Sequence, residues 1–289
     1  MKTTPILLGL FLASACGAIA GAQDASTPSI PKVIQIQREW IKPGKGGAMH
    51  DKSEAAFVQA MTRAKFPTHY FALNSMSGKS RALYITPYAT FEAWEKDNKT
   101  IEKNAALAAD IDNAMKSDGE LLEGYDSAVL TYNEELSYKP RPDLSHARYI
   151  EITQFKIRPG HTADFIEATK LVKAANDKAG TTAHWATYEI TYGAEWGTYL
   201  SLSSDASMTE IDKGIADQKM WVEAMGEEGM KKLDGLVASG FDSARSELFS
   251  INPKQSYVDE AWIKADPDFW SPKSAVTASA KPAAKPPSR

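Results

Sequence analysis

The sequence predicts an α+β protein in which two tandem β-α-β-β-α-β units, each on the ferredoxin-like plan, close their sheets into one intramolecular barrel. Three observations predict it. Val33–Gly44 lines up with Tyr149–Gly160, and far downstream Gly124-Tyr125-Asp126-Ser127-Ala128 matches Gly240-Phe241-Asp242-Ser243-Ala244 at the same spacing. Register held across so long a stretch marks a duplicated unit. Each copy opens on a β-rich run stopped by Pro-Gly and followed by an apolar pattern of helical period, which is the signature of a strand, a turn and a covering helix. Finally, each first strand has two unlike faces, so a sheet covered by helices on one side only must hide its other side.

The chain divides in order. Residues 1–22 carry Lys2, a short apolar run through Ala13 and the small-residue stretch Ala20-Gly21-Ala22, the layout of a secretory signal peptide cleaved after Ala22. The run is shorter than the roughly 20 residues a membrane-spanning helix needs. Ala13-Ser14-Ala15-Cys16 also resembles a lipobox, in which Cys16 would carry a lipid anchor. The first unit spans 33–138. Its elements are a strand over 33–41, a helix over 47–65, a strand pair over 68–75 and 80–86, a helical region over 90–118 and a last strand over 124–132. Residues 139–147, with Pro140-Arg141-Pro142-Asp143, form the linker. The second unit spans 148–251, with a helix over 162–178, strands at 183–192 and 196–203, a helical region over 206–236 and a last strand over 240–249. A carboxy-terminal arm over 252–272 has no counterpart in the first unit. The tail 273–289 is rich in Ala, Lys and Pro and cannot bury enough apolar surface to order itself.

In this reading Ile34 and Ile36, like Ile150 and Ile152, turn toward the helices. Gln35, Gln37 and Glu39, like Glu151 and Thr153, turn toward the space between the sheets. Composition narrows the function classes. A formal net charge of −4 argues against nucleic acid as a partner. Cys16 is the only cysteine, so cleavage after Ala22 leaves no disulfide and no thiolate chemistry.

On Lys42-Pro43-Gly44 and Arg158-Pro159-Gly160 with the helices that follow, and on Ala82–Lys96, the chain resembles the dimeric α+β barrel superfamily, with its antibiotic-biosynthesis-monooxygenase and NIPSNAP-type domains. The resemblance covers about 33–133 and 149–250. It implies a barrel closed by two sheets and admits cofactor-independent oxygenases, haem-using enzymes and non-enzymes alike; fold does not set chemistry.

The candidate catalytic residues are His69, His184, Glu39 and Glu151. His69 and His184 match between the units, each followed by an aromatic residue, which suits a ligand or acid–base pair and equally suits two strand-capping histidines bonded to backbone. Glu39 and Glu151 fit a general base in the inter-sheet space or a solvated barrel end. Gln37, Trp185, Trp196 and Tyr199 are the candidate ligand contacts. His50 and Glu54 stand four apart on one helix face and read as a surface ion pair. No His-x-x-x-His or carboxylate set with metal spacing is visible in the sequence, so no metal is expected. Phosphate-loop and nucleophile-elbow motifs are absent. The leading expectation is an exported protein binding a small molecule between its sheets. The alternatives are a monooxygenase-like or haem-using enzyme, and an envelope scaffold.

Overall fold

The computed structural model describes residues 29–271. The expected signal peptide at 1–22, with its Cys16 lipidation reading, and the tail 273–289 lie outside the described residues. The amino-terminal half contains β1 (Val33–Ile41), α1 (Ala48–Ala64), β2 (Tyr70–Ser75), β3 (Arg81–Tyr88), α2 (Phe91–Lys103), α3 (Ala105–Gly119) and β4 (Leu122–Tyr138). The second half follows with β5 (Tyr149–Ile157), α4 (Thr162–Ala179), β6 (Trp185–Tyr192), β7 (Thr198–Asp205), α5 (Met208–Gly240) and β8 (Phe241–Tyr257). Two short helices, α6 (Glu260–Ala265) and α7 (Pro267–Trp270), close the chain.

The strands form one closed, eight-stranded barrel in the order β1-β3-β2-β8-β5-β7-β6-β4, every neighbouring pair antiparallel. Closure depends on β4 and β8, each 17 residues long and well beyond the expected ends at 132 and 249. The first part of β4 pairs with β1, and its last part pairs with β6 of the other half. In the same way β8 pairs first with β5 and then with β2. At the β4–β6 seam, Gly193 at φ 90° would bring an added Cβ to 2.2 Å from the Ser127 carbonyl oxygen, so only glycine lets the backbones approach there.

The facing of the first strands is the reverse of expectation. Ile34, Ile36, Ile150 and Ile152 pack inside the barrel with Phe71, Leu73, Leu130 and Phe249, leaving voids of only about 80 and 30 Å³. Gln35, Gln37 and Glu39 lie on the outer face, under the helices. A closed barrel interior receives branched side chains from every strand and is the driest part of the fold. The helix-covered face tolerates polar groups because it opens between helices. The expected ligand space between the sheets is therefore filled. Arg81, ion-paired with Glu247, borders one void, and Trp262, Phe269 and Trp270 of the terminal helices pack onto the apolar core. Trp270 Nε1 donates to the Ser145 carbonyl at 2.7 Å.

The helical region 90–118 is two helices, because the Asn104 side chain accepts from the Leu107 amide and starts α3 afresh. In the other half α5 runs on past 236 and bends at Gly226, whose φ of 70° is non-helical.

Candidate metal centre

Under α1, α2 and α3, the outer face of the first half's sheet borders a cavity of about 340 Å³. Four side chains converge at its base. Glu39 is the seventh residue of β1; its odd position in the strand points it away from the barrel interior. His50 and Glu54 come from α1, where a spacing of four places them on the same face, and Asp118 comes from the last turn of α3. His50 Nε2 lies 3.1 Å from Glu39 Oε2, 3.5 Å from Asp118 Oδ1 and 3.9 Å from Glu54 Oε1. One ligand atom from each of the four falls within 4.8 Å of all the others. All four side chains are buried: His50 is 1 % exposed, and the most accessible, Glu39, is 6 % exposed.

The second half supplies the orienting group. Gln255, on the extension of β8 and fully buried, donates from Nε2 to His50 Nδ1 at 3.2 Å and to Asp51 Oδ1 at 3.0 Å. With Nδ1 accepting, the imidazole proton is assigned to Nε2, facing Glu39.

The electrostatics are unbalanced. Three carboxylates share this space with one imidazole, and among the described residues no lysine or arginine lines the cavity. Burial holds the Glu39 carboxyl above the usual carboxylate range, partly offset by its bond to His50. Burial, joined by the neighbouring Glu39 and Asp118, pushes Glu54 well above it. Burial and the same glutamates keep the Tyr84 phenol protonated. Glu54 Oε1, Asp118 Oδ1 and the Tyr70 hydroxyl are buried without a regular hydrogen bond, and the Tyr84 phenol stands close enough to Glu39 and Glu54 to stabilise both carboxylates. Buried polar atoms are ordinarily satisfied, and charges taken out of water must be neutralised or paired. A divalent cation would meet both needs at once. Three carboxylates and one imidazole are a donor set for a first-row ion such as Mn²⁺, Fe²⁺ or Zn²⁺, so the residues fit a metal.

The reading of His50–Glu54 as a surface pair is thus corrected, since both side chains are buried, and where no metal spacing was visible in the sequence the fold assembles four side chains that could hold an ion. The signal was present as the spacing of four, but Glu39 and Asp118 come from distant elements, and nothing in the local pattern shows that this face of α1 is the buried one.

The structure does not bring the other predicted residues together. Glu39 and Gln37 line the metal-site cavity, whereas Glu151, His184 and Trp185 line a separate cavity of about 520 Å³ in the second half. His184 Nε2 contacts the Ser204 carbonyl at 2.8 Å and Nδ1 the Thr182 carbonyl at 3.1 Å, so its ring ties backbone segments together. Trp185 Nε1 donates to the Leu136 carbonyl. His69 stacks on Tyr257 at 4.7 Å and lines neither cavity. Trp196 is 67 % exposed, and Tyr199 is packed in a core cluster with Phe165. The barrel interior is filled and both His184 nitrogens are engaged by backbone, so the space between the sheets offers no haem site.

No family model and no curated protein matches this sequence. Solved structures do share the fold. A candidate monooxygenase from Fusobacterium nucleatum superposes with a TM-score of 0.51 at 10% identity, covering 77% of this chain and 93% of that one. A candidate monooxygenase from Lactobacillus acidophilus gives 0.47 at 8% identity, covering 77% and 94%. A chlorite dismutase variant from Candidatus Nitrospira defluvii gives 0.46 at 9% identity, covering 78% and 94%. At 10% identity, the likeness to the Fusobacterium structure shows the α+β barrel fold alone.

Proposed function

We propose that this chain is a divalent-cation protein that presents its metal to a small organic molecule in the first half's cavity. Glu39, His50, Glu54 and Asp118 hold the ion, and Gln255 orients His50 from the other half. One observation carries the reading: three carboxylates are buried together, Glu54 Oε1 and Asp118 Oδ1 lack a hydrogen-bond partner, and no lysine or arginine lines the cavity. The bound ion would act as a Lewis acid toward a ligand oxygen. With an ion on His50 Nε2, the imidazole proton would sit on Nδ1, and the Gln255 amide would turn its unpartnered Oε1 to accept it, giving up its bond to Asp51. The phenols of Tyr70 and Tyr84, protonated and buried nearby, are the groups available to donate a hydrogen bond to the ligand.

The His50–Glu39 contact favours a second reading. With its proton on Nε2, His50 and Glu39 form a proton-sharing pair that would serve as a general base without metal, as a cofactor-independent oxygenase requires. Elemental analysis of protein purified without chelator separates the two. About one equivalent of a first-row divalent metal supports the first reading. A metal-free protein that also takes up no Mn²⁺ or Zn²⁺ leaves the second.

The two halves are read as copies of one ferredoxin-like unit of which the first carries the buried acidic cluster under its helices. The amino-terminal pattern supports export, with a mature start at Gln23 or at a lipidated Cys16; the intact mass of the processed protein distinguishes these.

A further inference from the structure

The same cavity contains a fourth acid that the cation site does not explain. Asp97, on α2, lies outside the group of four that converge on His50. It lines the same cavity, is 6 % exposed, and its Oδ2 has no hydrogen-bond partner. The Tyr88 phenol stands beside it, kept protonated by burial and by the charge and hydrogen-bonding of the Asp97 carboxylate, whose Oδ2 is still left without a partner. A buried carboxylate oxygen without a partner is costly, so Asp97 marks a position, apart from the cluster around His50, where a cationic donor is favoured. The remaining walls are largely apolar and aromatic, with Phe57, Phe66 and Tyr84 among them. No lysine or arginine is present among the lining residues to receive an anion.

We propose that the ligand of this cavity is a small aromatic amine whose ammonium group is received by Asp97 while its ring lies on the aromatic walls. The inference builds on the cavity reading above and adds the ligand class. It does not require the metal, because Asp97 is distinct from the four cation-binding side chains. Asp97 acts as a specificity residue: it sorts ligands by charge. A volume of about 340 Å³ is within the range that holds small organic ligands.

The test is calorimetric titration of the full mature protein with three probes of one shape, phenethylamine, 2-phenylethanol and phenylacetate, before and after chelator treatment. The amine is expected to bind at least about tenfold more tightly than the alcohol, with the carboxylate weakest. Asp97→Asn is expected to reduce the amine to the affinity of the alcohol. The proposal is overturned if the alcohol or the carboxylate matches the amine, if the amine fails to bind at millimolar concentration, or if the preference survives in Asp97→Asn. The wild-type ranking stands even where that variant folds poorly. A protein that takes up no metal yet keeps the Asp97-dependent preference sinks the metal reading alone. Metal uptake without the preference sinks this one alone.

Discussion

The same position under the helices is filled in opposite ways in the two halves. In the first, the seventh residue of β1 is Glu39 and the residue six after the Pro-Gly turn is His50; together they build a buried polar centre. In the second, the seventh residue of β5 is Phe155 and the residue six after the turn is Ile166. There Phe155 packs on Phe165 at 5.3 Å and on Phe241 at 5.9 Å, and Phe165 on Tyr199 at 5.0 Å. One half spends its helix–sheet interface on apolar packing and the other on uncompensated charge. The second half is thus an internal control: the fold does not need acids there, so their presence in the first points to a ligand.

The contrast predicts unequal responses to substitution. Phe165→Ala should cost about 3–5 kcal/mol of stability in chemical denaturation, through the cavity it leaves, while cation affinity stays unchanged. A fall in cation affinity of similar size would show that the halves are not separable. Gln255→Leu should do the reverse, lowering cation affinity by about 10–100-fold, as loss of an orienting partner does, with a small change in stability. Glu54→Gln should raise the stability of the cation-free protein at neutral pH by about 1 kcal/mol, because a carboxyl whose ionisation is disfavoured by burial and by Glu39 and Asp118 is replaced by a neutral amide, and should abolish stabilisation by added metal. A variant less stable than its parent in chelator would mean the carboxylates are already compensated.

The smallest effect concerns His69, which lies outside both sites. Burial depresses its pKa, outweighing the attraction of Asp259, so folding favours the neutral ring. The unfolded state then binds the proton more readily, and the stability contributed by neutral His69 is complete above its ordinary pKa of 6.5 and declines as pH falls below it. Denaturation midpoints measured on either side of that pH should show a slope that His69→Gln removes.

Much of the fold was legible in the sequence, and less of the site. The turn-bounded strands located the elements, because strand alternation and Pro-Gly stops are local signals. The extra lengths of β4 and β8 were hidden: past Tyr132 and Phe249 the alternation gives way to polar runs such as Asn133-Glu134-Glu135 and Asn252-Pro253-Lys254, which look like loops. Those extensions pair across the halves, and Gln255 reaches His50 from one of them. The direction of the first strands was inverted because the most apolar face was assigned to the helices rather than to the barrel interior. Once Glu39 is placed on the helix side, the spacing of His50 and Glu54 gains a third partner. Asp118 then completes the set only through the packing of α3 on α1, which no local pattern reports.

The central claim is that the buried cluster is a cation site, and calorimetric titration of the chelator-treated protein with Mn²⁺ and Zn²⁺, beside His50→Ala, tests it most directly. The account predicts saturable uptake of one ion per chain by the parent protein, a concentration-dependent rise in Tm, and an affinity lower by about 100-fold or more in the variant, since a direct ligand matters at least as much as an outer partner. Uptake that is absent in the parent, or equal in parent and variant, would contradict it.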